Sequence, residues 1–187
     1  MKKRFIKYFL LLLLFTQQVF PQNTVPVIKL LFAFGTKGDN PGQFQSPMGI
    51  STDVNGNIYV ADTGNNRIQK FDSRGNVVKF IGGFGWEAEQ FQRPTDICAE
   101  NALDVFVSDY ENNRIERYDK DLNWITSYRN DQNQPDNLQY AFPNSVAIGI
   151  HGDLFIVADE NKRVLKLNTL REPEFSFGDY DWGQGSL

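Results

Sequence analysis

Apolar and polar positions divide the chain into one long apolar run near its start and many short apolar bursts beyond it. The run is Phe9–Phe15, preceded by Lys2, Lys3, Arg4 and Lys7 and followed by Thr16, Gln17 and Gln18. The bursts are four or five residues long: Ile58-Tyr59-Val60-Ala61, Val105-Phe106-Val107-Ser108 and Leu154-Phe155-Ile156-Val157-Ala158. Each is rich in β-branched and aromatic residues and bounded by Asn, Asp or Gly, which predicts a strand. Asn55-Gly56, just before the first burst, is a strong hairpin signal. A second strand follows each burst, as at Ile68-Gln69-Lys70-Phe71, where apolar and polar residues partly alternate. Another is predicted at Val77–Ile81 and at Trp124–Tyr128, with a shorter echo at Phe175–Phe177.

These bursts recur in register. Pro47-Met48-Gly49-Ile50-Ser51, Pro94-Thr95-Asp96-Ile97-Cys98 and Pro143-Asn144-Ser145-Val146-Ala147 precede them, at spacings of 47 and 49 residues. A second anchor follows them: Asp62-Thr63-Gly64-Asn65-Asn66-Arg67, Asp109-Tyr110-Glu111-Asn112-Asn113-Arg114 and Asp159-Glu160-Asn161-Lys162-Arg163. From Pro to Arg the distance is 20 residues in all three copies. In the third copy the Asp stands one residue further from the Pro, which reads as a bulge offset by a shorter turn. Four short strands in about 45–50 residues describe one blade of a β-propeller.

The pattern Pro-x-x-Ile, Asp-x-x-Asn-Asn-Arg-Ile and Phe/Tyr-Asp, with Phe-Gly and Gly-Gln-Phe between copies, resembles the NHL repeat. The copies at 47–72 and 94–119 are close to consensus, and the copy at 143–168 departs from it with Lys162 at the second Asn position. WD40 repeats fit worse, since no Gly-His or Trp-Asp pair recurs. Kelch repeats fit worse too, since Gly82-Gly83 occurs once only. The expected fold is all-β: a β-propeller of four-stranded antiparallel blades, with repeats at about 34–81, 84–128 and 142–178. The resemblance implies a six-bladed ring, of which three blades are an incomplete part. Val27 to Phe34 reads as one more strand, of the kind that closes such a ring. Gly185-Ser186-Leu187 matches Gly42-Gln43-Phe44, so the pattern stops inside a repeat. A longer chain with about three further blades is expected, the alternative being self-association of two three-blade halves.

Residues 1–21 carry the charged, apolar, then polar order of a secretory signal peptide. The apolar stretch falls short of the ~20 residues of a membrane span. The expected location is secreted or periplasmic, without membrane attachment after cleavage near Pro21–Gln22; an uncleaved anchor is the alternative. The full chain has 19 Lys and Arg against 23 Asp and Glu. Removing the leader takes away four basic and no acidic residues and leaves 15 against 23, a net of −8. That balance opposes nucleic-acid binding. Cys98 is the single cysteine and His151 the single histidine, which excludes an intrachain disulfide and offers no His/Cys zinc cluster.

Recurring residues read as scaffold and varying ones as candidates for recognition. Asp62, Asn66, Arg67, Asp109, Asn113, Arg114, Asp159 and Arg163 recur once per blade and are expected to hold each blade together, the Asp residues capping turns and the Arg side chains bonding nearby carbonyls or acids. Cys98 aligns with Ser51 and Ala147 and reads as a buried, inert thiol; His151 aligns with Asn55 and reads as a solvated turn residue. Phe32, Phe34, Phe80, Phe84, Phe91 and Phe177 are expected to pack between blades. Asp96 and Asn144 follow the anchor prolines, near the expected channel opening. Tyr110 lies in the turn after a strand, and Trp86 and Trp182 lie in loops where a ring can stack on a sugar or a peptide. The polar stretch Arg129–Phe142 is expected to project from one face.

No catalytic residue and no resident metal or cofactor is assigned. The leading expectation is a non-catalytic exported scaffold for a protein, peptide or glycan. The runner-up is a fragment of a metal-dependent propeller hydrolase or lyase. For it the resemblance implies calcium or zinc in the central channel of a complete ring, with Asp96 and Asn144 among the calcium ligands.

Overall fold

The computed structural model describes residues 29–101, 103–160 and 162–178. The leader at 1–21 and Trp182 lie outside them. Of a first compact unit, Met1–Phe32, residues 29–32 are described. They form no strand, and neither do residues 33–35, so the described part of the expected strand from Val27 to Phe34 is irregular.

The second unit, from Ala33, is all-β. It opens with a short parallel pair, β1 (Thr36–Lys37) and β2 (Gln43–Phe44). Three four-stranded antiparallel sheets follow, each a meander in chain order. Blade 1 is β3 (Ile50–Thr52), β4 (Ile58–Asp62), β5 (Arg67–Phe71) and β6 (Val77–Gly82). Blade 2 is β7 (Pro94–Cys98), β8 (Asp104–Asp109), β9 (Arg114–Asp119) and β10 (Trp124–Arg129). Blade 3 is β11 (Pro143–Ile148), β12 (Leu154–Ala158), β13 (Arg163–Leu167) and β14 (Pro173–Phe177). The strands predicted from the bursts are all present.

The turns show why these sequences form hairpins. In Asp72-Ser73-Arg74-Gly75-Asn76 the Asp72 carboxylate accepts the N–H groups of Arg74 and Asn76 and the Asn76 side-chain amide, at 2.8–2.9 Å. Asp119 repeats this with Asp121 and Asn123, and Asp53 with Asn55 and Asn57. The fourth residue is left-handed each time, with φ of 83° at Gly75, 58° at Leu122 and 79° at Gly56. These bonds favour the charged carboxylate. The Asn76 side chain, then its N–H, holds Asp72 below its ordinary value. At Asp53 and Asp119 burial pushes upward and the Asn donors outweigh it.

Two apolar clusters fill the joints. Tyr59, Ala61 and Ile68 of blade 1 meet Ile97, Val105, Val107 and Tyr118 of blade 2. Cys98, Phe106 and Ile115 of blade 2 meet Val146, Leu154, Ile156 and Leu165 of blade 3. Successive strand residues point to opposite faces, so the middle blade is lined on both. Phe91 is fully buried between blades 1 and 2. Phe80 and Phe84 are exposed, against expectation: Phe80 lies on the side of blade 1 that no other blade covers.

Cys98 lies in the second cluster, and burial pushes its thiol up. Thiolate is the reactive form. The folded protein is therefore expected to resist an alkylating thiol reagent at pH 8, with one equivalent reacting on unfolding in guanidinium. Mass spectrometry checks this, and rapid labelling of the folded chain would contradict the burial.

Candidate functional site

Each of the first two blades is tied to the loop before it by one buried Asp–Arg latch. In blade 2, Asp109 pairs across the ladder with Arg114, and Asp109 Oδ2 accepts from Arg114 Nε at 2.8 Å and Asn112 Nδ2 at 2.8 Å. Its Oδ1 accepts the Gln92 N–H at 2.8 Å. The Arg114 guanidinium then donates to the carbonyls of Trp86, Glu87 and Gln90, and its Nε also stands 2.7 Å from Glu116 Oε1. Blade 1 repeats the arrangement with Asp62, Asn65 and Arg67, reaching the carbonyls of Asp39, Asn40 and Gln43. Gln69 stands in the place of Glu116. Burial pushes the Asp109 carboxyl up, opposed by its bonds to Asn112, Gln92 and Arg114. Both arginine forks are thus spent on their own chain.

Asn66 and Asn113 fasten the next blade. Asn66 Oδ1 accepts the Arg93 N–H and Asn113 Oδ1 accepts the Phe142 N–H, each at 2.9 Å. Arg93 and Phe142 directly precede the anchor prolines and have left-handed φ of 58° and 50°. The residue before a proline is ordinarily extended, so the amide clamp holds an unfavourable backbone at each joint.

Blade 3 breaks the pattern. Its strands keep the register of blade 2, but Ala158, not an acid, stands opposite Arg163. There is no bulge in β12–β13; Asp159 stands one position later, in the turn. Arg163 donates to the carbonyl of Asp136 instead, at 2.5 Å. Asp159 is released to the surface, where it accepts from Lys162 Nζ at 2.9 Å and from Tyr110 Oη at 3.0 Å. The Lys162 bond, then the Tyr110 bond, holds its carboxyl low, and the same Asp159 contact holds the Tyr110 phenol high.

Around Tyr110 several varying residues converge. The Arg93 guanidinium lies over its ring, 4.7 Å from the centroid, and the Phe142 ring lies 5.3 Å away. The joint between blades 2 and 3 therefore presents an Arg–Tyr–Phe stack flanked by an Asp159–Lys162 pair. Arg93 and Phe142 were not singled out from the sequence. Their one sequence signal is that the residue before the anchor proline differs in every copy: Ser46, Arg93, Phe142.

The other candidates do not join this group. Asp96 latches blades 2 and 3: its Oδ2 accepts from Ser145 Oγ and from the Val146 N–H. Asn144, beside it, is exposed. Trp86 is exposed, with its carbonyl held by Arg114. Among the described residues no group of three or more His, Cys, Asp or Glu side chains is placed to hold a metal ion. The stretch Arg129–Phe142 is exposed over most of 131–137 but is tied to the blades. Tyr140 is buried and donates to the Tyr128 carbonyl at 2.7 Å, and Ser176 and Arg163 of blade 3 bond carbonyls of the short 3-10 turn Asp136–Leu138.

Four-stranded meanders joined face to face are the blades of a β-propeller, three of them among the described residues. The NHL repeat profile matches residues 44–71 and 91–118, and the chain carries NHL repeats. Lin-41 of Caenorhabditis elegans is 42% identical over 48 residues, 26% of this chain and 4% of that protein. The E3 ubiquitin-protein ligase TRIM71 of Rattus norvegicus is 46% identical over 46 residues, 25% of this chain and 5% of that protein. The chain thus spans about one twentieth of these relatives. Among solved structures, a catalytically inactive virginiamycin B lyase from Staphylococcus aureus with quinupristin superposes with a TM-score of 0.55 at 19% identity. It covers 76% of this chain and 44% of that one, a likeness of fold.

Proposed function

We propose that the protein is an exported, non-catalytic scaffold that binds a protein or peptide at the joint between blades 2 and 3. The observation that carries this reading is the division of labour between recurring and varying residues. Asp62, Arg67, Asp109 and Arg114 are consumed inside the blades. Arg93, Tyr110, Phe142 and Lys162, which differ between copies, meet on one face. An aromatic ring with a stacked arginine offers a peptide both apolar area and directed donors, the combination that dominates protein recognition. Export rests on the leader at 1–21.

The test is a binding comparison. Partners are captured on the immobilised chain from the medium or periplasm of the producing cell and identified, and their affinity for Tyr110→Ala is measured by calorimetry. An affinity loss of about 30-fold or more is expected for a central aromatic. Unchanged affinity in a folded variant moves the site elsewhere, and saturable turnover of an ester, lactone or peptide by the unmodified chain ends the scaffold reading.

A further inference from the structure

The two joints of the chain share one corner, where the outermost strand of a blade faces the outer turn of the next. At the joint between blades 1 and 2 this corner is filled. Lys79 of β6 donates from Nζ to the Leu122 carbonyl at 3.1 Å and to Asn123 Oδ1 at 3.0 Å. Ile81 and Leu122 are buried beside it. At the joint between blades 2 and 3 each of these positions differs. The ladders place Thr126 where Lys79 stands, Tyr128 where Ile81 stands and Arg129 where Gly82 stands. Arg171 takes the left-handed turn position of Leu122, with φ of 68° against 58°, and Glu172 follows it as Asn123 follows Leu122. Here the corner is an open cavity of about 430 Å³ between the end of β10 and the β13–β14 turn. That volume is within the ~300–1,000 Å³ usual for small-molecule sites.

The polar groups that face the cavity are short of partners. Arg171 donates from Nη1 to the Gly152 carbonyl, and its guanidinium lies over the Phe106 ring, 5.1 Å from the centroid. Its Nε is buried and has no hydrogen-bond partner among the described residues. A buried donor left unpaired is costly and rare, so a ligand acceptor belongs there. Arg129 makes one long bond, 3.5 Å, to the Asn112 carbonyl. Neither arginine is paired with a carboxylate among the described residues. Asp131 and Glu172 line the same cavity, each with one carboxylate oxygen engaged, by Asn133 and by Asn168. Asn130 spends its Oδ1 on the Tyr140 N–H and keeps its side-chain N–H groups unbonded among the described residues, as does Gln134.

The geometry points to a binding site for a sugar acid, a pyranose ring that carries a carboxylate. Each part of the lining selects one part of that ligand. The Arg129 and Arg171 forks match a carboxylate. Asp131 and Glu172 need donors, which ring hydroxyls supply and a phosphate dianion or a simple carboxylate lacks. Asn130 and Gln134 are served by groups that both donate and accept, as hydroxyls do. The ammonium of an amino acid would serve the two acids and leave these amides unpaired. Leu138, Leu167 and Pro173 offer apolar area to the C–H face of the ring. The site shares no residue with the group around Tyr110, and the two stand or fall separately.

Calorimetric titration of the purified chain tests this, with D-galacturonate as the free sugar acid and an oligogalacturonate as the same unit within a polysaccharide. The expected result is saturable binding of one or both, with D-glucose about tenfold weaker or more for want of the charged contact. Arg171→Leu installs the side chain that the first joint carries, and is expected to lower the affinity by about tenfold or more. Arg129→Gln, at an exposed position, is expected to lower it by about fivefold or more. Protection of Cys98 from alkylation reports that each variant is folded. No saturable binding of either probe overturns the inference. So does unchanged affinity in folded Arg171→Leu and Arg129→Gln, or displacement of galacturonate by an equal concentration of inorganic phosphate or L-glutamate.

Discussion

Arg114→Ala is expected to cost about 3–5 kcal/mol of folding stability, the cost of removing one partner from a buried ion pair. Arg114 is 1% exposed, and three groups depend on it. Asp109 and Glu116 would be left as buried carboxylates without their cation, and the carbonyls of Trp86, Glu87 and Gln90 would lose their donor. The loop from blade 1 to blade 2 would then be held mainly by Gln92 and Asn112. Against a typical stability of about 5–15 kcal/mol, this brings the fold close to its limit. Urea unfolding followed by tryptophan fluorescence measures it. Arg163→Ala is the internal comparison: Ala158, not an acid, stands opposite it in the ladder, so a smaller loss is expected. Equal losses at the two arginines would refute the claim that the Asp partner makes the latch.

Gly49→Val is expected to destabilise the joint between blades 1 and 2 by about 2–4 kcal/mol, at or above the usual range for overpacking. The obstacle is space. A Cβ on Gly49 would lie 2.6 Å from Asp96 Cα and 3.0 Å from the Ile97 nitrogen. Both atoms belong to the backbone of β7, which cannot swing aside as a side chain can, so the two blades must separate. Asn144→Val, at an exposed position of β11, is expected to change stability by less than about 0.5 kcal/mol. Thermal unfolding of the two variants side by side decides the matter, and a Gly49→Val protein as stable as the parent would mean that the blades are not in contact there.

The strand content and blade register were legible in the sequence for a local reason. A hairpin of this kind is written in a few adjacent residues: the turn Asp, its Asn four positions on, and apolar alternation on either side. Repetition three times over removes the ambiguity that one short strand carries. The paired positions Asp62–Arg67 and Asp109–Arg114 were readable for the same reason, since residues that recur at a fixed offset face each other across one ladder.

What failed to show in the sequence depends on neighbours far along the chain. The Arg129–Phe142 stretch read as a loop and is largely exposed, but the sequence did not show that Tyr140 buries itself and that blade 3 holds the turn by its carbonyls. Asp96 looked like a channel ligand and is engaged by Ser145 and Val146 of the next blade. Phe80 looked like core and is exposed, because burial needs a covering surface as well as an apolar side chain.

By itself, then, the sequence determined that the chain is built of equivalent four-stranded sheets, because the period, the turns and the alternation are properties of neighbouring residues. Only the tertiary structure decided which charges are spent and which are presented. One residue's shift between Ala158 and Asp159 moves a carboxylate from a buried latch to a surface cluster with Tyr110 and Lys162. That outcome rests on which face of a twisted sheet meets the next blade, and no local pattern encodes it.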